Sequence, residues 1–184
     1  LGMYGSNSKN YGDGFTNMYG ANHEDIAYSY RMDNHGKGSW YSINGNIDYQ
    51  RTSRKNKQRM ITFSYKINTQ PQTSNSNTGY EDIHAKEEVD DLVKRLLLKN
   101  SQSDGKTNTM EQTFQVDYTT PIGELHTVEA GAKYIFRRNT SDNKLYEAAG
   151  GSDDYLYNED RSSDYRHLNH ILAAYLGYTL KYKD

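Results

Sequence analysis

Two neighbouring segments in the second half of the chain alternate between apolar and polar residues at every second position. From 127 to 137, one row is apolar or aromatic, and the other, apart from Ile135, is polar, charged or glycine. Residues 112–120 alternate in the same way, and Pro121 and Gly123 separate the two segments. A period of two is the side-chain period of a β-strand, so the pattern predicts a hairpin with a tight turn. An aromatic face opposite a face of Glu, Lys and Arg is what a membrane barrel requires, with lipid outside and water inside.

Four further segments, 24–33, 39–50, 59–68 and 166–182, show the same two-faced character. Each is close to the roughly 9–11 residues that a tilted strand needs to cross a bilayer, or longer. The first 23 residues predict at most one weak strand near 2–6. We therefore predict an all-β fold, an antiparallel up-and-down meander that is part of a transmembrane β-barrel. The apolar rows of the four segments 24–33, 39–50, 59–68 and 166–182 are, in order, Ile26, Tyr28, Tyr30 and Met32; Tyr41, Ile43, Ile47 and Tyr49; Ile61, Phe63, Tyr65 and Ile67; and Leu168, Leu172, Ala174, Leu176, Tyr178, Leu180 and Tyr182.

The connections between these segments assign the two ends of the predicted barrel. Membrane barrels have short periplasmic turns and longer extracellular loops, so we expect the tight ends at 51–58 and 121–125 to face the periplasm. The polar segments 34–38, 69–110 and 139–165 are then expected to face outside. In domain terms, residues 1–184 form a single barrel fragment, with three strands in 24–68, a long outer loop at 69–110, and three strands in 111–182 around the long loop 139–165.

One segment of the 69–110 loop has helical spacing instead. From 86 to 100, apolar residues recur at the i, i+3, i+4, i+7 and i+8 positions, which predicts an amphipathic helix. We interpret it as a short loop helix that packs on the barrel rim, with a partner-binding helix as the alternative. The apolar residues are Val89, Leu92, Val93, Leu96 and Leu97.

The composition favours exposed sheet over a compact soluble core. Hydrophobic residues make up 34% of the chain, against roughly 45–50% in globular chains, a figure that also counts Gly. The chain has 18 Tyr but only 4 Phe and 1 Trp, which favours strands and amphipathic interfaces. No run approaches the roughly 20 apolar residues of a membrane helix. The absence of Cys excludes disulfides, thiol catalysis and thiolate metal sites.

The charge of the chain gives no sign of a nucleic-acid partner. The net charge is −2, so no global field attracts nucleic acid or anionic lipid. The basic run at 51–59 lacks interleaved aromatic residues, so we interpret it as a solvated turn and not as a phosphate-binding site.

Candidate metal ligands are few. His167 and His170 are three positions apart, which places them on opposite faces of a strand and argues against a shared metal. The acidic loop that contains Asp153, Asp154, Glu159, Asp160 and Asp164 has hard oxygen ligands but not the calcium-loop spacing, so a solvated loop is the prediction. We predict no metal-binding and no cofactor-binding residues.

Candidate catalytic groups are equally weak. Asp117 and Glu129 could form the carboxylate pair of a glycosidase, but with Lys133 and Arg137 nearby we interpret them as lumenal ion-pairing charges. We predict no catalytic residues and no enzyme, with a secreted β-sheet enzyme as the least favoured alternative. Tyrosines near strand ends predict a membrane-interface girdle, and a sugar-stacking platform is the competing interpretation. These tyrosines are Tyr28, Tyr41, Tyr49, Tyr118, Tyr134, Tyr178 and Tyr182.

About seventy residues, 112–182, resemble a known family. The segments Phe114-x-Val116-Asp117-Tyr118-Thr119-x-Pro121, Glu129-Ala130-Gly131-Ala132-Lys133-Tyr134, Arg137-x-Asn139 and Ile171-x-Ala173-Ala174-Tyr175 look like the C-terminal barrel portion of TonB-dependent outer-membrane receptors. More narrowly, they are similar to an outer-membrane β-barrel family with the same two strand motifs in order. The resemblance implies a large barrel in the outer membrane of a Gram-negative bacterium, with a plug domain inside it. It also implies energised uptake of a metal chelate, vitamin, glycan or peptide.

The resemblance also sets the expected partners. The chain starts at Leu1 without a signal peptide, and the plug and the energy-coupling box do not appear in it, so we expect a fragment of a longer chain. Its partners would be outer-membrane lipid or detergent, the plug and remaining strands of the parent chain, and, through the parent, an energy-coupling inner-membrane complex. Self-association through sheet edges is a further expectation. The alternative function is a soluble, exported all-β binding module that binds carbohydrate.

Overall fold

The computed structural model describes residues 1–20, 25–87 and 90–182, and the side chains of residues 95 and 96 are not described. Within these residues the chain forms one antiparallel sheet of seven strands. The strands are β1 (Gly2–Tyr19), β2 (Ile26–Thr52), β3 (Met60–Ala85), β4 (Lys99–Ile122), β5 (His126–Ala149), β6 (Leu156–Tyr157) and β7 (Ser163–Leu180). The prediction of an all-β antiparallel meander is confirmed.

From β1 to β6, strands that are neighbours in the sequence are also neighbours in the sheet. The order is β1-β2-β3-β4-β5, and β5 pairs along its length with β7 and at its end with the two-residue β6. The predicted hairpin of β4 and β5 is present, with Ile122 opposite His126. Gly123 has a φ of 68°, a left-handed conformation that glycine adopts at little steric cost. The basic run lies in the turn between β2 and β3, as predicted.

Four strands are much longer than the sequence pattern predicted. β2 to β5 contain between 24 and 27 residues each. The predicted outer loop at 34–38 is wrong, because these residues lie inside β2 and pair with β1 and β3. Most of the predicted loop 69–110 is also strand, since β3 and β4 pair from Met60 opposite Thr119 to Thr78 opposite Ser101. Their Ser, Thr, Asn and Gln side chains have water on both sides of the sheet, while the backbone groups are satisfied by the ladder.

The predictions for two other segments also differ from the structure. The predicted loop 139–165 is strand as far as Ala149 and again from Ser163, so the connection is 150–162 and contains β6. The first 20 residues form the long strand β1 where only 2–6 was predicted. As a result, residues 24–68 contain two strands, β2 and the start of β3, and not three.

A short helix follows β3 at the end of the sheet that carries the long connections. It consists of Asp90–Leu92 and a π-helical turn, Val93–Leu97, so the predicted helix at 86–100 was too long. Of the predicted apolar row, Val93 is 1% exposed and packs on the rim, whereas Leu92 and Leu97 are 50% and 55% exposed. Leu98, which follows the helix, is buried at 4% exposure. Val89 lies outside the described residues.

Burial in the sheet is very limited. Among the described residues, the buried hydrophobic side chains are Val93, Leu98 and Ala148, all at the long-connection end. Large apolar residues on the strands are instead exposed, with Ile47 at 71% and Leu176 at 79%. No helix in the described part of the chain is long and apolar enough to cross a membrane.

Residues opposite each other in the register share a face, which defines the two faces of the sheet. We call one the belt face, because it carries Tyr134 of β5 and its cross-strand partners Phe114 and Leu172. The other, which carries Asp117, Lys133 and their partners, we call the lumen face. The end of the sheet with the turns at 53–59 and 123–125 is the turn end, and the opposite end is the loop end.

Candidate functional site

The apolar residues of the belt face form a band across five strands. One row runs Ile47, Tyr65, Phe114, Tyr134, Leu172, and the row nearer the turn end runs Tyr49, Phe63, Val116, Ala132, Ala174. The rings are in contact, with centroids 4.8 Å apart for Tyr65 and Phe114 and 6.3 Å apart for Phe114 and Tyr134. On β5 the band runs from Val128 to Phe136, close to the length of strand that crosses a bilayer.

Two tyrosine hydroxyls within this band are paired inside the sheet. The Tyr65 hydroxyl donates to Oε1 of Gln112 at 3.2 Å, and the Tyr134 hydroxyl lies 2.7 Å from Nδ1 of His170. An unpaired polar group in hydrocarbon costs several kcal/mol, roughly the price of a lost hydrogen bond in an apolar medium. The pairing therefore suits this face to an apolar surrounding.

At the same height, the lumen face is charged. Nε of Arg137 lies 2.5 Å from Oε2 of Glu111 across the β4–β5 pair. Asp117 accepts hydrogen bonds from the Tyr175 hydroxyl at 2.8 Å and from Nε2 of Gln115 at 2.9 Å. A polar hollow of about 560 Å³ on this face is bordered by Asp48, Lys66, Glu111 and Lys133. The sheet is thus apolar on one side and charged on the other, at the same height along its strands.

A protein-family model covers most of the sheet. The outer membrane protein beta-barrel family matches residues 52–184, which include β3 to β7. The chain belongs to this family. No curated protein and no solved structure matches it.

Membership of this family places the chain in the outer membrane as part of a barrel. The belt face then turns to lipid and the lumen face to the barrel interior, because outer-membrane barrels carry an outward apolar band around a polar interior. The soluble binding module expected as an alternative does not agree with this location. The short turns at the turn end and the longer connections at the loop end are typical of the periplasmic and extracellular ends of such barrels.

The tyrosines of the predicted girdle divide between the two faces. Tyr134 and Tyr178 lie on the belt face of this outer-membrane barrel segment, as predicted, together with Tyr41, Tyr49 and Tyr118. Tyr28 is an exception, because its register with Met18 and Ala85 places it on the lumen face. Tyr182 lies beyond the end of β7.

Tyr28 lies on the lumen face because the aromatic residues of β2 occupy different rows in its two halves. In the half of β2 near the turn end, the odd-numbered residues are apolar and face lipid, as in Ile47 and Tyr49. In the half near the loop end, Tyr28, Tyr30 and Trp40 are even-numbered and face the lumen. Aromatic side chains of other strands near the loop end, such as Tyr11 of β1 and Tyr146 of β5, lie on the belt face.

The lumen face above the belt carries three uncharged rows, which we call the neutral band. It contains serine, threonine, asparagine, glutamine and glycine, with Trp40, Leu145 and Tyr165 among them. From the belt upward, the rows are Ser6, Trp40, Gln72, Thr107, Ser141 and Tyr165; Ser8, Gly38, Ser74, Gly105, Asn143 and Ser163; and Asn10, Gly36, Ser76, Ser103 and Leu145. The sequence did not predict this band, because most of its residues lie in segments with the polar composition of loops, and only continuous alternation through 34–38 could have revealed it.

At the loop end, Glu147 ties the connection 150–162 to β5. It accepts a hydrogen bond from Nδ2 of Asn158 at 2.7 Å and pairs with Nη1 of Arg161 at 2.5 Å and with Nζ of Lys99 at 3.5 Å. The hydrogen bond from Asn158, together with the charges of Lys99 and Arg161, holds the pKa of Glu147 below its usual value of 4.5. Glu147 is therefore ionised at neutral pH and fixes the loop.

Asn100 of β4 joins two further segments at the same end, β3 and the 150–162 connection. Its Oδ1 accepts from the backbone N–H of Tyr80 at 2.7 Å, and its Nδ2 donates to the carbonyl oxygen of Ser152 at 3.0 Å. Gly150 also approaches Leu98 so closely that a Cβ would lie 2.4 Å from the Leu98 carbonyl oxygen. The Gly150 backbone N–H also donates to the carbonyl oxygen of Lys94 in the helix at 2.9 Å. The helix, β3, β4 and the 150–162 connection are thus held together by polar contacts at the rim.

The register gives the positions of the candidate catalytic and metal-binding residues on the sheet. Asp117 and Glu129 lie on the lumen face, with Asp117 opposite Gly131 and Glu129 opposite Thr119. His167 and His170 are on opposite faces, since they pair with Asn139 and Phe136. Within residues 1–20, 25–87 and 90–182, no group of three or more His, Asp or Glu is arranged to hold a metal ion.

Proposed function

We propose that this chain is the barrel segment of an outer-membrane receptor that takes up a nutrient ligand by energised, TonB-dependent transport. The ligand class would be a metal chelate, vitamin, glycan or peptide, and no catalysis is involved. The observation that carries this proposal is the β4–β5 hairpin, since both motifs that resemble TonB-dependent receptors lie on it in register. Asp117 of the first motif is opposite Gly131 of the second, and Phe114 is opposite Tyr134.

The length of the strands supports a receptor over a simple membrane anchor. β2 to β5 contain at least twice the roughly 9–11 residues needed to cross the bilayer. All four extend beyond the belt on the loop side, which carries the sheet well above the membrane surface. Such a wall offers a continuous lumen face from the outside medium to the periplasmic side.

The charges on the lumen face favour an occupied interior. Lys66 and Lys133 make no ion pair with any described residue, and both border the polar hollow. Unpaired cations in a barrel interior are suited to acidic groups of a domain held inside it. We propose that this domain is a plug carried by the same parent chain and coupled to an inner-membrane energy source.

Uptake in cells tests the proposal. The gene that encodes the chain would be deleted and then restored in the same strain, and uptake of labelled ligands of the four classes would be measured with and without a protonophore. The expected result is that one class depends on the gene and that its uptake stops when the protonophore collapses the proton gradient.

Two outcomes would count against this function. Gene-dependent uptake that continues unchanged in the protonophore would indicate a passive pore. Equal uptake of all four classes by deleted and restored strains, with the barrel confirmed in the outer membrane, would indicate a role other than nutrient transport.

A further inference from the structure

The neutral band differs sharply from the belt face directly behind it. None of the side chains in its three rows is charged. The interleaved rows of the other face, at the same height, contain Lys9, Lys37, Asp104, Lys106, Asp142, Lys144 and Asp164. Both faces lie above the membrane in water, so the solvent does not explain the difference. The absence of charge is specific to the side that faces the barrel interior.

Aromatic rings stand on two strands of this uncharged surface. Trp40 is 43% exposed and meets Tyr4 edge-on, with centroids 5.8 Å apart. Tyr165 belongs to the same row as Trp40, is 54% exposed and stacks on His167 at 6.3 Å. Each ring is supported by a neighbouring ring and remains open to the lumen. These are suitable platforms for a flat ligand with polarised C–H groups, because an aromatic face carries partial negative charge.

Polar groups between the rings are free to bind a ligand. The side chains of Gln72, Thr107, Ser76 and Ser103 make no hydrogen bond with any described residue. Gln72 and Thr107 are exposed and lie side by side in the row that joins Trp40 to Tyr165. The row thus presents an amide and a hydroxyl between two aromatic platforms.

Glycines in the adjoining rows leave space that neighbouring polar side chains occupy. A Cβ at Gly36 would collide with the side-chain amide of Asn10, and one at Gly105 would lie 2.6 Å from Oγ of Ser74 and 2.9 Å from Oδ1 of Asn143. The polar side chains therefore lie across the glycine positions, where any larger residue would displace them. The result is a surface lined with short hydrogen-bonding groups.

We infer that the neutral band binds an uncharged carbohydrate, which names the ligand class of the transport proposed above and rests on that proposal. A sugar ring combines C–H faces, which stack on Trp40 and Tyr165, with a rim of hydroxyl groups, which bond to Gln72 and Thr107. An acidic or cationic ligand would find no opposite charge in these three rows. A neutral oligosaccharide requires none.

Trp40 is the single tryptophan of the chain and reports directly on this surface. The full chain in detergent micelles would be titrated with neutral oligosaccharides from starch, cellulose, xylan and mannan while tryptophan fluorescence is recorded. An oligogalacturonate of similar length serves as the acidic comparison. The expected result is a saturable change in fluorescence with at least one neutral oligosaccharide and none with the oligogalacturonate.

Matched variants locate the binding. Tyr165→Ala and Gln72→Ala remove one platform and one amide, and each is expected to weaken binding about two- to tenfold. Tyr11→Ala and Gln102→Ala remove the same residue types from the belt face at similar height, so both should leave binding unchanged. All four positions are exposed, and the far-UV circular dichroism of each variant would verify that it folds.

The possible results separate this inference from the proposed function. The inference is overturned if no neutral oligosaccharide changes the fluorescence, or if the lumen-face and belt-face variants lose binding affinity equally. Energised uptake of another ligand class would still leave the transport function intact. Saturable binding that the Tyr165 variant weakens supports the inference even where uptake proves insensitive to the protonophore, which would overturn only the transport mechanism.

Discussion

At the scale of single residues, the contact between Gly131 and Tyr175 shows why glycine is required in the middle of a strand. The Tyr175 ring crosses β5 at Gly131 to reach Asp117, and a Cβ at Gly131 would lie 2.2 Å from Cε1 of that ring and 2.6 Å from Oδ1 of Asp117. Gly131→Ala must therefore displace the ring and break the hydrogen bond. We expect a loss of about 1–3 kcal/mol in the free energy of unfolding in detergent, measured by urea titration.

Gly177→Ala is the control for this prediction. Gly177 also lies on the lumen face, but its Cβ would meet Glu129 at 3.6 Å, an ordinary contact. Alanine there should be neutral within about 0.5 kcal/mol or slightly stabilising. In addition, Tyr175→Ala should remove most of the cost of Gly131→Ala in the double variant, because the two residues are in contact. Additive effects would show that the ring does not depend on the glycine.

At the scale of elements, the 150–162 connection should be released at acidic pH. Glu147 has a pKa below its usual 4.5 in the folded chain, so its contribution to stability is fully present above the unfolded value and is lost as the pH falls through the lower, folded value. Protonation would remove the negative charge that holds Arg161 and Lys99. The protection of the 150–162 amides against hydrogen exchange, relative to the intrinsic rate at each pH, should therefore fall below about pH 4.5, while protection at the centre of β4 and β5 changes little.

Two variants check the origin of this release. Glu147→Gln should exchange rapidly in 150–162 at neutral pH and lose most of the dependence on pH. Glu159→Gln alters an exposed carboxylate of the same connection and should retain the wild-type profile. If the Glu147 variant keeps the acid-dependent release, another group holds the connection.

β2 shows how much of a long strand can be predicted from the sequence of that strand alone. Alternation correctly predicted strands at 24–33 and 39–50, and the sharing of a face by Tyr28 and Tyr30. It also broke this strand at 34–38, because these five residues are polar or glycine and contain no apolar row. The environment of each face changes along a single strand, and a local pattern cannot distinguish that change from a loop.

Other elements were predicted or missed for similar physical reasons. The β4–β5 hairpin was predicted well because lipid on one face and charge on the other maximise the contrast between the two rows. β1 was missed because its polar and glycine-rich residues acquire strand structure by pairing with β2 and not from their own preference. The neutral band could not be predicted, since it exists only where these weakly patterned segments are aligned in register.

At the scale of the whole molecule, the small buried core means that stability must come from the ladder and from the apolar surroundings of the belt. Leu172 is 78% exposed at the centre of the belt face, while the adjacent Ile171 points to the lumen face opposite Ile135. Leu172→Arg should therefore cost about 2–4 kcal/mol in a bilayer, the cost of arginine near the midplane. Ile171→Arg, at the same height on the other face, should cost much less.

The comparison would be made on the full chain by far-UV circular dichroism and thermal melting, in plain buffer and in micelles or lipid. The wild-type chain and Ile171→Arg should show β-signal and a cooperative transition only with detergent or lipid, and Leu172→Arg should lower the transition there. A cooperative, monomeric melt in plain buffer would contradict a lipid-facing belt. So would equal destabilisation by the two variants, because an arginine can distinguish the faces only if one of them is in contact with hydrocarbon.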